Sequence, residues 1–269
     1  MYSLFIRPFV RMMEPAKASR VALRYFKAIG SIPGGRIFNR LIHKNKATVL
    51  QREVFDLSFY NPLGLGAGLD LQGDLYNDLN DLGFSFSEIG PLNAESTRHA
   101  IRNIQKDPQD DILAACIGSD YLTSFSLIYD FCDFFVIELD SAEELGIINL
   151  LLDARLTYDN YKPIVIKVPE DVDGSALEDF TDYCLMSNVD GIEVRSYSQL
   201  LTVRDYTKGR LPIIANCHID TPQEAKKMLD AGASLIEVRS GLVSNGPSIV
   251  RKILKHLESA VRHNQNAGK

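Results

Sequence analysis

Residues 112–139 read ILAACIGSDYLTSFSLIYDFCDFFVIEL. Two apolar runs, Ile112–Ile117 and Phe134–Leu139, the second broken only by Glu138, flank a stretch with helix-like patterning. A strand wetted on one face alternates apolar and polar residues, and these runs do not. They fit strands covered on both sides, as in a parallel sheet whose crossover helices lie against it. The pattern extends outward from there. Upstream stand Pro62–Ala67 and Phe84–Ile89; downstream stand Pro163–Val168, Gly191–Val194, Leu211–Ala215 and Ser234–Val238. Eight such units predict an α/β protein of the TIM (β/α)8 barrel class, preceded by a short helical extension. An open doubly wound sheet is the runner-up. It fits less well because no GxGxxG follows the first run; Gly64-Leu-Gly66-Ala-Gly68 has a different spacing.

The chain has 269 residues, of which 45% are hydrophobic and 24% charged. That is enough to bury one barrel core and excludes a disordered chain as the default. The charge is divided unevenly. Residues 1–46 hold ten Lys and Arg and one acid, a net +9; against −6 for the whole chain, this leaves −15 on residues 47–269. We therefore divide the chain into a basic amphipathic helical extension, 1–46, and a barrel, 47–269. In residues 1–13 Arg7 and Arg11 interrupt the apolar run, which disfavours a signal peptide. Glu14-Pro15 reads as a helix start and Gly30 as its end, with a third amphipathic turn around Ile37, Leu41 and Ile42. Such a head suits either an anionic membrane surface or a helical cap packed on the barrel. Nothing resembles a nucleic-acid reading motif. The four cysteines (Cys116, Cys132, Cys184 and Cys217) lie far apart without CxxC, which argues against disulfides and zinc and for a reducing compartment. No metal is expected. No apolar run is long enough to span a bilayer. The expected location is cytoplasmic, peripheral on the inner face of the cell membrane.

In such barrels chemistry sits at the carboxyl ends of the strands. Here those ends carry Ala67, Gly68 and Asp70; Gly90, Pro91 and Asn93; Cys116 and Gly118; Glu138, Asp140 and Ser141; Lys167; Arg195 and Ser196; Asn216, Cys217 and His218; and Arg239, Ser240 and Gly241. Two strands echo each other, GIEVRS at 191–196 and LIEVRS at 235–240. Glu193 and Arg195 share one strand face, as do Glu237 and Arg239. If those faces point inward, Glu138, Lys167, Arg195 and Arg239 would form an ion-pair network plugging the mouth. His218 is either an acid/base or phosphate ligand or, the favoured reading, a hydrogen-bonded structural residue.

Several segments resemble dihydroorotate dehydrogenases. They are Asn61-Pro-Leu-Gly-Leu-Gly-Ala-Gly-Leu-Asp70, Leu82-Gly-Phe-Ser-Phe-Ser-Glu-Ile-Gly90, Pro163-Ile-Val-Ile-Lys167, Gly209-Arg-Leu-Pro-Ile-Ile214 and Ala231-Gly-Ala-Ser-Leu-Ile236, followed by Ser240-Gly241 and Gly246-Pro247. The basic head resembles the membrane-associated, quinone-using class. The resemblance covers nearly the whole chain and is strongest at 60–90 and 208–257. It implies an FMN oxidoreductase of pyrimidine biosynthesis that turns dihydroorotate into orotate and passes electrons to a quinone. It also implies Ser141 as the base, Lys167 beside the flavin, Ala67 and Gly68 as backbone near its ring, and Ser240 and Gly241 in the phosphate cradle.

The departures from the family pattern are as informative. A lysine after Asp70 reads as Leu71, and the stretch 91–110 is short. Expected asparagines read as Cys116 and Glu138, an asparagine-threonine pair as Ser196-Tyr197, and paired glycines as Cys217-His218. A glycine-rich loop is missing. An ionised Glu offers only acceptors where Asn offers both roles, and it repels a carboxylate substrate. The alternative is therefore a catalytically impaired paralogue that has lost FMN and orotate binding and has a binding or regulatory role. A lesser alternative is another barrel enzyme that uses Lys167, for instance as a Schiff-base lysine, on an anionic substrate.

Overall fold

The computed structural model describes residues 2, 8, 12–30, 48–106 and 111–267. Eight parallel strands close into a barrel: β3 (Leu63–Leu65), β4 (Phe86–Leu92), β5 (Ile112–Ile117), β6 (Phe134–Glu138), β7 (Ile164–Lys167), β8 (Gly191–Val194), β9 (Ile213–Ala215) and β10 (Leu235–Val238), with β10 pairing back onto β3. All eight predicted runs are strands, and the barrel displaces the open-sheet alternative. A hairpin, β1 (Arg52–Val54) and β2 (Leu57–Phe59), precedes them.

The helices follow in register with the strands: α1 (Pro15–Gly30), α2 (Tyr76–Asn80), α3 (Ala94–Lys106), α4 (Tyr121–Ile128), α5 (Gly146–Arg155), α6 (Gly174–Met186), α7 (Tyr197–Thr207), α8 (Pro222–Asp230), α9 (Ser240–Asn245) and α10 (Ser248–Ala267). Local chemistry explains several starts. Thr221 accepts from the Glu224 amide while the Glu224 side chain returns to the Thr221 amide, with Pro222 in the first turn, so α8 begins on a full capping box. Ser196 caps α7 by a single bond, its hydroxyl accepting from Gln199 N.

Alternation along the strands sorts the interior into layers. Phe86, Ala114, Phe134, Val165, Ile214 and Leu235 form an apolar cluster with Phe59 of the hairpin. The rings of Phe59, Phe86 and Phe134 meet edge-on or tilted at 5.4–6.4 Å, which closes the amino-terminal end of the barrel. A side chain at Gly64 would collide with the Phe86 ring, so glycine is what lets that ring lie inside. Side chains two residues further along face the same interior. That rule places Glu88, Cys116, Lys167, Glu193, Asn216 and Glu237 in the layer above, nearer the carboxyl ends.

The head docks onto this scaffold where it is described. Ala18 and Ala22, one helical turn apart, are buried in the main core, and Tyr2 is buried with them. The Tyr2 hydroxyl donates to the Val243 carbonyl, and its ring packs against Gly246 and edge-on against Tyr25. Lys17, Arg20, Arg24 and Lys27 lie exposed along the opposite face. Gly30 ends α1 as expected, while the predicted turn around Ile37, Leu41 and Ile42 lies outside the described residues.

Candidate functional site

The layer above the apolar floor is charged. Glu138, Lys167 and Glu193 are register neighbours on β6, β7 and β8. Lys167 Nζ lies 2.8 Å from Glu193 Oε1, 3.6 Å from Glu88 Oε1 and 3.7 Å from Glu138 Oε2. Above it Arg195 donates from Nη2 to Glu138 Oε1 at 2.7 Å and from Nε to the Val168 carbonyl at 2.8 Å, so its guanidinium lies across the strand ends. Cys116 Sγ donates to Glu138 Oε2 at 3.4 Å, and Asn216 Nδ2 to Glu193 Oε1 at 3.1 Å. Lys167, Glu88, Glu193 and Glu237 are all buried.

Four carboxylates thus share two cations in a space shielded from water. Burial disfavours every charge there, and neighbours decide the outcome. Burial would lower the Lys167 ammonium, but Glu193, Glu88 and Glu138 outweigh it and hold it well above its usual value. Burial would raise Glu138, but Lys167 and Arg195 hold it below the ordinary carboxylate range. Glu193 goes the other way: burial and the adjacent Glu88 push it up to about 7 against Lys167. Glu237 is raised well above the usual range by burial, Glu88 and Glu193.

The inward orientation left open by the sequence is thereby fixed for Glu193 and Glu237, and the echoed GIEVRS and LIEVRS segments share a role. Each delivers a buried glutamate to the interior and an arginine to the rim. The predicted network forms through Glu138, Lys167 and Arg195, but Arg239 stays outside it. Arg239 is exposed and has no carboxylate partner among the described residues. It lies over Ala67 and Gly68 instead, with Nη1 3.4 Å from the Ala67 carbonyl and 3.0 Å from where a Gly68 side chain would start.

The structure does not bring the other assigned residues into one open site. Ser141 caps a 3-10 turn, its hydroxyl accepting from Glu143 N at 3.3 Å. Ser240 Oγ bonds Asp220 Oδ1 at 3.0 Å. A side chain at Gly241 would meet the Ile219 carbonyl and Asp220 Oδ1, the latter at 3.2 Å. At the start of α9, where the resemblance puts a phosphate, a carboxylate already stands. His218 holds the left-handed backbone that suits glycine, with φ 47°, and its ring is exposed. The favoured expectation of a hydrogen-bonded structural histidine is corrected: among the described residues no hydrogen bond holds it. Cys217 is a buried thiol whose Sγ contacts the Val194 carbonyl at 3.7 Å.

Glu88 and Asp220 were not singled out from the sequence. Glu88 had a readable signal, since it stands two residues after Phe86 in a strand buried on both faces. An acid there must find a partner, on whichever face it lies. Asp220 had none; its role comes from the meeting of two loops.

A family model described as dihydroorotate dehydrogenase matches residues 189–261, which run from β8 into α10. The chain is 24% identical to the "Dihydroorotate dehydrogenase (quinone)" of Christiangramia forsetii over 332 aligned positions, covering 94% of this chain and 97% of that protein. It is 23% identical to the protein of the same name from Yersinia pseudotuberculosis over 341 positions, covering 96% and 100%. Since 332 positions exceed the 269 residues here, the relatives carry segments that this chain lacks. In three dimensions the barrel is similar to ligand-free type DHODH from Eimeria tenella, with a TM-score of 0.77 at 18% identity over 93% of this chain and 96% of that one. The ferulenol complex from the same organism gives a TM-score of 0.72 at 18% identity, covering 91% and 90%. By these likenesses the chain has the fold of dihydroorotate dehydrogenases and is similar along nearly its whole length to proteins named dihydroorotate dehydrogenase (quinone).

Proposed function

We propose that this chain keeps the family's barrel without its flavin chemistry, and acts as a non-catalytic relative that meets an anionic surface through residues 1–46. The observation that carries this reading is the state of Lys167. A lysine that serves a flavin must present its ammonium to the ring. Here that ammonium is buried among Glu193, Glu88 and Glu138. The other assigned positions support the same reading. Arg239 covers Gly68, and Asp220 stands against Ser240 and Gly241. An FMN phosphate seeks backbone N–H groups at a helix start, and an anion already in that place repels it. A reduced flavin anion beside a surplus of carboxylates is disfavoured too. FMN does not fit the groups present, and the Ser141 hydroxyl serves its cap on the Glu143 amide.

The competing reading is an active dihydroorotate dehydrogenase, with FMN as cofactor, dihydroorotate as substrate and a quinone as acceptor. It is favoured by the near-complete coverage of relatives carrying that name. One experiment separates the two. Purified chain is incubated with excess FMN, gel-filtered, and read for flavin absorbance and for bleaching by dihydroorotate. We expect a colourless protein peak; a yellow peak that dihydroorotate bleaches establishes the catalytic reading.

The surface role rests on the stripe of Lys17, Arg20, Arg24 and Lys27 along α1, on the face away from buried Ala18 and Ala22. Basic residues near an anionic bilayer contribute about 1 kcal/mol each. No helix among the described residues is long and apolar enough to cross a membrane, so any attachment through this stripe is peripheral. The chain is expected to sediment with vesicles containing anionic lipid and to be released by about 0.5 M salt. Neutral vesicles should leave it in the supernatant, and equal sedimentation with both kinds would reject the electrostatic reading.

A further inference from the structure

We propose that Glu88, Glu193 and Glu237 hold a divalent cation inside the barrel. One carboxylate oxygen from each lies within 4.8 Å of the others. The three come from β4, β8 and β10, so the barrel wall itself sets their spacing.

A cluster of acids alone would not point to a ligand; its unmet bonding does. Glu237 is 1% exposed, yet its carboxylate oxygens meet no N–H or hydroxyl donor among the described residues, only the Glu88 carboxyl beside it. Both Glu88 oxygens and Glu193 Oε2 are equally without such a donor. A buried carboxylate left this way is costly, and such groups call for a specific occupant. The cation of Lys167 does not fill that need. It takes Glu193 Oε1 at 2.8 Å and touches Glu88 at 3.6 Å, but forms no ion pair with Glu237. Asn216 also bonds Glu193 Oε1, while Glu193 Oε2 has no hydrogen-bond partner among the described residues. Gly66 keeps the space open, since a side chain there would stand 2.8 Å from Glu237 Oε2.

The donor set names the class of ion. Carboxylate oxygens without histidine or thiolate suit hard cations, Mg2+, Mn2+ or Ca2+, over zinc or copper. Charge agrees with that choice. Once deprotonated, Glu88, Glu193 and Glu237 set three negative charges beside the single buried ammonium of Lys167, and a divalent ion would supply the two missing positive charges.

The test uses the full chain stripped with chelator and titrated with Mn2+, followed by electron paramagnetic resonance and thermal unfolding. One ion per chain should bind, and at a hundredfold excess over Kd the unfolding temperature should rise by about 5 °C. Glu237→Gln and Glu88→Gln, nearly isosteric changes, should each weaken binding at least about tenfold while far-UV circular dichroism stays unchanged. The competing occupant is a proton shared between Glu88 and Glu237. Absence of bound Mn2+, Mg2+ and Ca2+ at millimolar concentration would favour that proton and overturn the proposal. So would equal Mn2+ binding by wild type and Glu237→Gln, which would place the ions on surface acids. No flavin enters the measurement, so its outcome is separate from that of the FMN experiment.

Discussion

Replacing Lys167 with methionine is expected to destabilise the barrel by about 3–5 kcal/mol, the usual consequence of removing one partner from a buried ion pair. The side chain is 3% exposed and touches three carboxylates, so its loss leaves Glu88 and Glu193 fully buried with one cation fewer between them. Coulomb attraction at these distances is far stronger than in water because the surroundings are poorly polarisable. For a chain of this size the change corresponds to a fall in unfolding temperature of roughly 6–15 °C. Glu138→Gln should cost much less. Its carboxylate is partly exposed, and its removal relieves the acid surplus while Arg195 keeps the Val168 carbonyl. Urea unfolding of the two variants at neutral pH checks the contrast. A loss below about 1 kcal/mol for Lys167→Met would mean that the charged layer does not hold the barrel together. It would also return Lys167 to the role the family resemblance suggests, that of a residue kept for a ligand.

The architecture was largely legible because its signals are local. Eight apolar runs of strand length become eight strands, since a continuous apolar run fits nothing else in a parallel sheet. Pro15 and Gly30 bound α1 because both act through backbone geometry that travels with the residue. The site was legible only in outline. The sequence gathers Glu138, Lys167 and Arg195 at strand ends, and the structure joins them. It does not say which parity faces inward, because a strand covered on both sides has apolar residues at odd and even positions alike. That is why the sequence shows Glu193 and Glu237 as a repeat without placing them, and groups Arg239 with a network that it leaves in the fold. The family resemblance carries Ser240 and Gly241 over as a phosphate cradle from local identity alone. The carboxylate beside them, Asp220, belongs to a loop twenty residues earlier and is brought there by the pairing of β9 with β10.

Stability should fall as pH rises through neutrality, the reverse of what most carboxylate pairs give. Glu193 carries a folded-state pKa of about 7 against an ordinary 4.5, and Glu237 is raised further by burial and by its acidic neighbours. A group whose folded pKa is raised binds its proton more tightly in the native state. Its contribution is complete below the unfolded value and is lost as pH climbs to the folded one. For Glu193 that window runs from about pH 4.5 to 7 and is worth roughly 3 kcal/mol. Glu138 works in the opposite sense, since its folded pKa is depressed and its contribution fades only below the ordinary carboxylate range. The two trends together make the contribution of the charged layer in chelator-treated protein decline from about pH 5 toward pH 8. Glu237→Gln tests the assignment, because an amide keeps the shape and cannot ionise. In chelator the variant should be more stable than wild type at pH 8, should differ little at pH 5, and should show a flatter profile between them. Urea midpoints across pH 5–8 measure this directly. A wild-type profile that rises steadily from pH 5 to 8 would show that these buried glutamates ionise freely in the folded barrel, and the charged layer would then need another source of compensation than protons.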